Sequence, residues 1–253
     1  MKSQRFHAIV IVGATSLIAQ HCARQWLHAD PHASLVLVGR DASRLDSVAN
    51  DLRVRAPQAG IDVVTGDVTL AASVQEVVQR VLAICTPDTV LIAHGDLPDQ
   101  AACQEDLARA QQAMVVNGIS PALCAEAFAR SMQTTGGGTI GIIGSVAGDR
   151  GRKSNYVYGA AKGLVDRYAQ GMQHRFAGTG ISVVLIKPGP TDTPMTAALK
   201  ARGANLASVE SVAKAIVAGM RRGTAVVYAP AKWALIMLVI RSLPRFIFNK
   251  MDI

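Results

Sequence analysis

The chain has 253 residues, half of them apolar and only 17% charged. That composition excludes a disordered chain and fits one α/β domain with a core large enough to offset ordering entropy. Residues 1–100 carry 8 basic and 10 acidic side chains and residues 101–253 carry 18 and 8, so the net charge of +8 comes from the second part. A basic half suits an anionic cofactor, an anionic membrane surface or nucleic acid. Nucleic acid is set aside as a partner, because aromatics make up 4% of the chain and no block of five or more Lys/Arg occurs.

In chain order, β-branched runs at 7–12, 35–38, 61–65 and 89–93 alternate with helical spacing at 18–27, 42–55 and 73–85. This is the pattern of βαβ units around a parallel sheet. Ser73 is expected to cap the third helix, with Glu76 as its capping-box partner. A long helical stretch is expected over 105–132, then a strand at 139–143, a helix over 156–176, a strand at 182–186, a helix over 209–220 and a last strand at 225–228. About seven strands with helices on both faces make a single-domain, Rossmann-type doubly wound parallel sheet. It is expected to span residues 1–230, with an integral substrate loop near 190–208.

Two further readings come from composition. Cys22, Cys85, Cys103 and Cys124 are far apart and show no metal-ligand spacing, so reduced buried thiols and no metal site are expected. Near the N-terminus, Lys2 and Arg5 precede an apolar run, residues 8–12, too short for a signal segment, so a cytoplasmic protein is expected.

The first strand runs into Gly13, Ala14, Thr15, Ser16, Leu17, Ile18 and Ala19. A strand, a tight turn and a helix N-terminus offer free N–H groups and a positive dipole end to a phosphate. The next strand ends at Gly39-Arg40. An arginine there favours the 2′-phosphate of NADP(H), while the neighbouring Asp41 leaves NAD(H) open. After the fifth strand stands Gly144-Ser145, and thirteen residues beyond Ser145 comes Tyr158-Gly-Ala-Ala-Lys162. On a helix, Tyr158 and Lys162 share a face at i, i+4. An ammonium there is expected to lower the tyrosine pKa from about 10, giving a general acid or base for an alcohol or ketone oxygen. Tyr156 has no such partner, since position 160 is Ala.

Over about residues 6–230 these motifs resemble the short-chain dehydrogenase/reductase family. The resemblance places Gly13, Thr15, Ser16, Leu17 and Ile18 at the glycine-rich cofactor turn and Asp67 and Val68 beside the adenine. Ala93, His94 and Gly95 fall on the segment supporting the sheet, and Pro188, Gly189, Thr191 and Thr193 on the nicotinamide side. Asn117, Ser145, Tyr158 and Lys162 fall on the four catalytic positions. Ser145 would hydrogen-bond the substrate oxygen, Tyr158 would transfer the proton, Lys162 would tune Tyr158 and hold the nicotinamide ribose, and Asn117 would support a water relaying protons. Pro121 has no N–H for the Asn117 carbonyl, which frees that carbonyl for the water if the helix continues; otherwise Pro121 marks a new helix. Leu17 and Ala19 replace the second and third glycines, with Leu17 expected beside the pyrophosphate; His94 replaces an Asn and Val12 a Thr.

The resemblance implies an NADP(H)-dependent oxidoreductase interconverting a ketone and a secondary alcohol, working as a homo-oligomer, a dimer or tetramer. The alternative is a cofactor-binding sensor or scaffold without turnover. Gly-Ala-Thr-Ser at the turn, residues 94–100 and the basic run after Gly148 resemble the branch containing decaprenylphosphoryl-2-keto-ribose reductase, which implies a small-molecule or lipid-linked keto-sugar substrate. Residues 231–253 form a basic, apolar C-terminal segment. Its uncharged run, residues 233–240, is too short to cross a bilayer, leaving a membrane-interfacial segment or a part of the fold or subunit interface.

Overall fold

A computed structural model describes residues 7–251. Lys2 and Arg5, and the ends of the expected segments 1–230 and 231–253, lie outside the described residues. Seven strands, β1 (Ala8–Val12), β2 (Ser34–Gly39), β3 (Gly60–Thr65), β4 (Thr89–Ile92), β5 (Gly138–Ile143), β6 (Ile181–Pro188) and β7 (Val226–Ala229), form one sheet. All its pairings are parallel, and the order is β3-β2-β1-β4-β5-β6-β7.

Alternation along each strand builds two cores, because successive side chains leave opposite faces of a sheet. Ile9, Ile11, Leu35 and Leu37 pack with Cys22, Ala23 and Trp26 of α1 (Leu17–Ala29), with Leu45 and Leu52 of α2 (Ala42–Arg55), and with Val212, Ile216 and Met220 of α9 (Val209–Arg222). Val10, Val12, Val36 and Val38 meet α3 (Ala71–Ile84), α6 (Ser120–Thr135) and α7 (Tyr156–Arg175) through Val77, Phe128 and Val165. Strand order reverses between β1 and β4, and the crevice at their C-terminal ends is where this fold holds a ligand.

Local chemistry moves several boundaries. Ser73 is not the cap of α3: Leu70 holds that position, and the Ser73 hydroxyl donates to the Leu70 carbonyl at 2.9 Å, while Glu76 closes no capping box. The expected helix over 105–132 is interrupted. Asp106 sits in extended geometry after α4 (Gln100–Glu105) and accepts the Ala108 and Arg109 N–H groups, starting α5 (Leu107–Met114). The chain then widens into a π turn, Val115–Ile119, and passes into α6 with Pro121 in its first turn. The 190–208 loop gains a 3₁₀ turn (Pro194–Thr196) and α8 (Ala197–Ala201), and is pinned by a bridge between Thr191 and Ala207. After β7 come α10 (Lys232–Ser242) and α11 (Arg245–Phe248). Among the described residues no helix is long and apolar enough to cross a membrane. The four cysteines are free, with Cys22, Cys103 and Cys124 buried and Cys85 partly so.

One polar cluster fixes the C-terminal side of the crevice. Lys187, near the end of β6, is buried and forms ion pairs with Asp149, in the loop after β5, and Asp166, on α7. The Tyr228 hydroxyl, from β7, donates to the other Asp149 oxygen at 2.9 Å. Burial opposes the Lys187 charge, but the two carboxylates outweigh it and raise its pKa, while burial raises that of Asp166. Removing one member of such a set leaves an uncompensated buried charge. Lys187→Met is therefore expected to cost about 3–5 kcal/mol in urea unfolding at pH 7; a change below about 1 kcal/mol would show that the cluster is screened like a surface pair.

Candidate active site

The cofactor turn begins at Gly13, whose φ is +82° and where a Cβ would lie 2.5 Å from the His94 backbone nitrogen. Only glycine suits that conformation and that approach. The Gly13 and Ala14 N–H groups bond to the Val38 carbonyl at 2.8 and 3.1 Å, tying the turn to β2. Ser16 precedes α1 without a side-chain cap, so the N–H groups of the first turn keep their capacity for an anion. Ser16 and Ile18 line the crevice; Leu17 does not, and Ala19 is fully buried in the core.

Asp41 is engaged as the cap of α2, accepting the Arg44 N–H at 3.0 Å. Arg40 beside it is exposed and makes no side-chain hydrogen bond or ion pair among the described residues. Asp67 accepts the Thr69 N–H at 3.0 Å, and the Val68 carbonyl accepts the Ser120 hydroxyl. Gly13, Thr15, Arg40, Asp67 and Val68 lie along the ends of β1, β2 and β3, outside the lining of the deep cavity.

His94 takes the place of a shorter amide. The Ser120 hydroxyl donates to Val68, so it accepts from His94 Nε2 at 2.8 Å, which fixes the neutral Nε2–H tautomer. His94 Nδ1 is buried without a partner. Burial, helped by Lys162 and Arg40, pushes the His94 pKa down to about 3.

The deep cavity gathers Ala93, His94 and Gly95 from the end of β4, Asn117, Ser145, Tyr158 and Lys162, and Pro188, Gly189, Thr191 and Thr193 from the end of β6. Asn117 sits fully buried in the π turn. Its Nδ2 donates to Asp96 Oδ1 at 2.6 Å and to the Ala113 carbonyl at 3.0 Å, and its Oδ1 accepts the Asp96 N–H at 3.0 Å. The side chain is thus spent on holding the segment after β4. A Cβ on Gly95 would come within 2.8 Å of Asn117 Oδ1, so the glycine is a condition of that clamp.

Lys162 Nζ donates to the Ile143 carbonyl at 3.0 Å and lies 5.7 Å from the Tyr158 ring centroid. Burial lowers its pKa to about 8, against the pull of Asp96 and Asp166. The expected lowering of Tyr158 does not occur. Burial pushes the phenol up to about 12 despite a hydrogen bond with Ser145, and Asp96 adds to the rise. Tyr158 is therefore a protonated acid at neutral pH, beside an ammonium that persists below about pH 8.

Met195 and Leu199 of the expected substrate loop line the same cavity, as do Asp96, Arg152 and Asn155, to which sequence reasoning gave no site role. Arg152 has its Nε buried without a partner, and burial lowers its pKa while Asp149 raises it. Asp149 is already bound by Lys187 and Tyr228. Trp233 was missed as well: its indole lies against Gly189, where a Cβ would be 1.9 Å from Nε1.

The crevice, the uncapped α1 terminus and the open turn define a dinucleotide-binding α/β protein. The description of short chain dehydrogenases matches residues 7–204. An uncharacterized oxidoreductase from Streptomyces coelicolor is 31% identical over 248 residues, 96% of this chain and 95% of that protein. Another, from Mycobacterium tuberculosis, is 31% identical over 246 residues, 96% of each chain. The chain belongs to the short-chain dehydrogenase/reductase family and is an oxidoreductase of the kind that uses a nicotinamide cofactor on CH–OH groups. Solved structures agree on the fold. Levodione reductase superposes with a TM-score of 0.81 at 20% identity, covering 90% of this chain and 98% of that one. A Sphingobium yanoikuyae short-chain dehydrogenase in complex with NADPH gives 0.80 at 22%, covering 97% and 96%.

Because the charged form is the one penalised, His94 is expected to stay neutral and Nε2-protonated from pH 5 to 8 by ¹⁵N NMR; a titration near its ordinary value of 6.5 would contradict the buried tautomer.

Proposed function

We propose that the protein is an NADP(H)-dependent reductase that interconverts a ketone and a secondary alcohol, with a lipid-linked keto-sugar as substrate class. The observation that carries the chemistry is the convergence of Ser145, Tyr158 and Lys162 on one cavity, with Tyr158 held as a neutral acid. The cofactor supplies or accepts the hydride when bound. Backbone groups of Gly13, Thr15, Ser16, Leu17 and Ile18 would hold its phosphates, with the Leu17 side chain outside the crevice; Asp67 and Val68 would hold its adenine, and Pro188, Gly189, Thr191 and Thr193 its nicotinamide end.

In reduction, the Ser145 hydroxyl orients the carbonyl oxygen and Tyr158 gives it a proton. As that proton leaves, the Lys162 ammonium stabilises the phenolate that forms. Asn117 keeps the segment after β4 in place and supports the route by which Tyr158 is reprotonated. Arg40 supports NADP(H): it stands at the end of β2 without a partner, while the competing Asp41 carboxylate is spent on capping α2. Arg152 supports an anionic substrate such as a lipid phosphate, since it lines the cavity and the nearby Asp149 is committed elsewhere.

Tyr158→Phe removes the proton and keeps the shape, so the reduction rate is expected to fall by about 10² to 10⁴ with NADPH affinity nearly unchanged. In the same assay, Arg152→Gln is expected to lower kcat/KM by roughly 10- to 100-fold for a phosphate-bearing ketone and little for its neutral counterpart, the value of a hydrogen bond to a charged group. Equal losses on both substrates would assign Arg152 a purely structural part. For the cofactor, Arg40→Ala is expected to raise the Michaelis constant for NADPH by about tenfold or more and leave that for NADH unchanged; wild-type use of NADH and NADPH with equal efficiency would overturn the preference.

A further inference from the structure

Helix α10 carries two apolar faces, and the fold uses one of them. Met237 is fully buried, and Trp233, Ile236 and Ile240 are partly buried. These side chains share the inward face with the contacts that attach the helix to the site. The Trp233 indole covers Gly189, Arg152 reaches Met237 Sδ at 3.5 Å, and Arg150 donates to the Ile240 and Leu243 carbonyls at the helix end. Arg150 also stacks on Phe248 of α11, 3.7 Å from the ring centroid.

Across the helix, Leu235, Leu238 and Val239 recur at i, i+3 and i+4 and are 68%, 57% and 54% exposed, and Phe246 of α11 is 70% exposed. Helical spacing sets Lys232 on one side of this stripe and Arg241, exposed and also hydrogen-bonded to the Tyr228 hydroxyl, on the other. Arg245 and Lys250 flank Phe246 in sequence, and no Asp or Glu occurs between residues 211 and 251.

We propose that this outward face of α10 and α11 docks on the surface of an anionic lipid bilayer, with the apolar stripe at the headgroup boundary and the four cations on lipid phosphates. The choice of occupant rests on charge. An amphipathic surface of this composition, fully cationic at its rim, complements anionic headgroups. Two copies pairing through the same face about a two-fold axis would bring like-charged rims together. At 11 residues, α10 lies far below the length that spans a bilayer, so it binds in the plane. Because its inward face touches Gly189 and Arg152, docking holds the mouth of the cavity near the membrane surface. The proposal stands on this surface alone and is independent of the substrate reading.

Co-sedimentation of the full chain with phosphatidylglycerol/phosphatidylcholine vesicles tests it, alongside pure phosphatidylcholine vesicles and a salt series. Binding is expected to the anionic vesicles, to weaken as salt rises, and to be far lower on the neutral ones. Arg241→Gln with Arg245→Gln is expected to weaken it by roughly tenfold to thirtyfold, at about 1 kcal/mol per cation. Leu235→Gln, Leu238→Gln and Val239→Gln together are expected to abolish it, with thermal unfolding and the oligomeric state in solution unchanged, since these side chains are exposed. Absence of the intact chain from the anionic pellet at low salt overturns the proposal. So does retained binding by the triple variant, or a triple variant that dissociates an oligomer without losing vesicle binding, which would make the face a contact between copies.

Discussion

Lys187 lies in a β-strand run that is otherwise apolar, and its ammonium is stable there because Asp149 and Asp166 meet it out of contact with water. Few other contacts reach so many parts of the candidate site. Asp149 belongs to the loop that begins at Ser145, and Asp166 to the helix that carries Tyr158 and Lys162. Lys187 itself precedes Pro188-Gly189, and Tyr228 brings in β7. Buried ion pairs contribute little net stability once desolvation is counted, but they tolerate few geometries. In this protein the cluster holds a loop, a helix and two strands in one relation, and the loop, the helix and the end of β6 bound the cavity. Arg150 and Arg152, from the same loop, then extend the connection to α10.

Burial also sets the chemistry. The same desolvation that raises the Tyr158 phenol to about 12 lowers Lys162 to about 8 and His94 to about 3. At neutral pH this leaves an acid that keeps its proton, an ammonium that keeps its charge and an imidazole that stays neutral. Proton donation to a carbonyl oxygen needs the first two, and a neutral His94 avoids a second cation beside Lys162.

The parts of this arrangement legible in the sequence are those whose geometry is local. Tyr158 and Lys162 share a face because four residues on a helix bring them there, and Gly13 marks a turn because only glycine adopts its conformation. Parallel pairing of seven strands follows from apolar runs separated by helical spacing. Less legible is whatever depends on residues far apart in the chain. Arg152 lines the cavity, and the nearby Asp149 is engaged by Lys187, 38 residues away, and Tyr228, 79 residues away. Gly189 reads as a cofactor residue, yet it also makes room for Trp233. Asp106 breaks the expected long helix by capping the next one, a competition between side chain and backbone that apolar spacing does not register. Leu70 starts α3 three residues before the serine expected to cap it and makes no side-chain cap, so no polar residue marks that start in the sequence. A charged residue inside the apolar run of β6 was the available signal for the ion cluster.

The proposed reaction moves a hydride to a carbonyl carbon in this cavity and a proton to its oxygen. Incubation of the full-length protein with NADPH deuterated at the transferable C4 position and a panel of ketones that includes phosphate-bearing keto-sugars, followed by mass spectrometry, tests it most directly. One deuterium on the carbinol carbon of the product is the expected result. NADPH that binds in the cleft while no ketone acquires label would contradict it and leave a cofactor-binding protein without turnover.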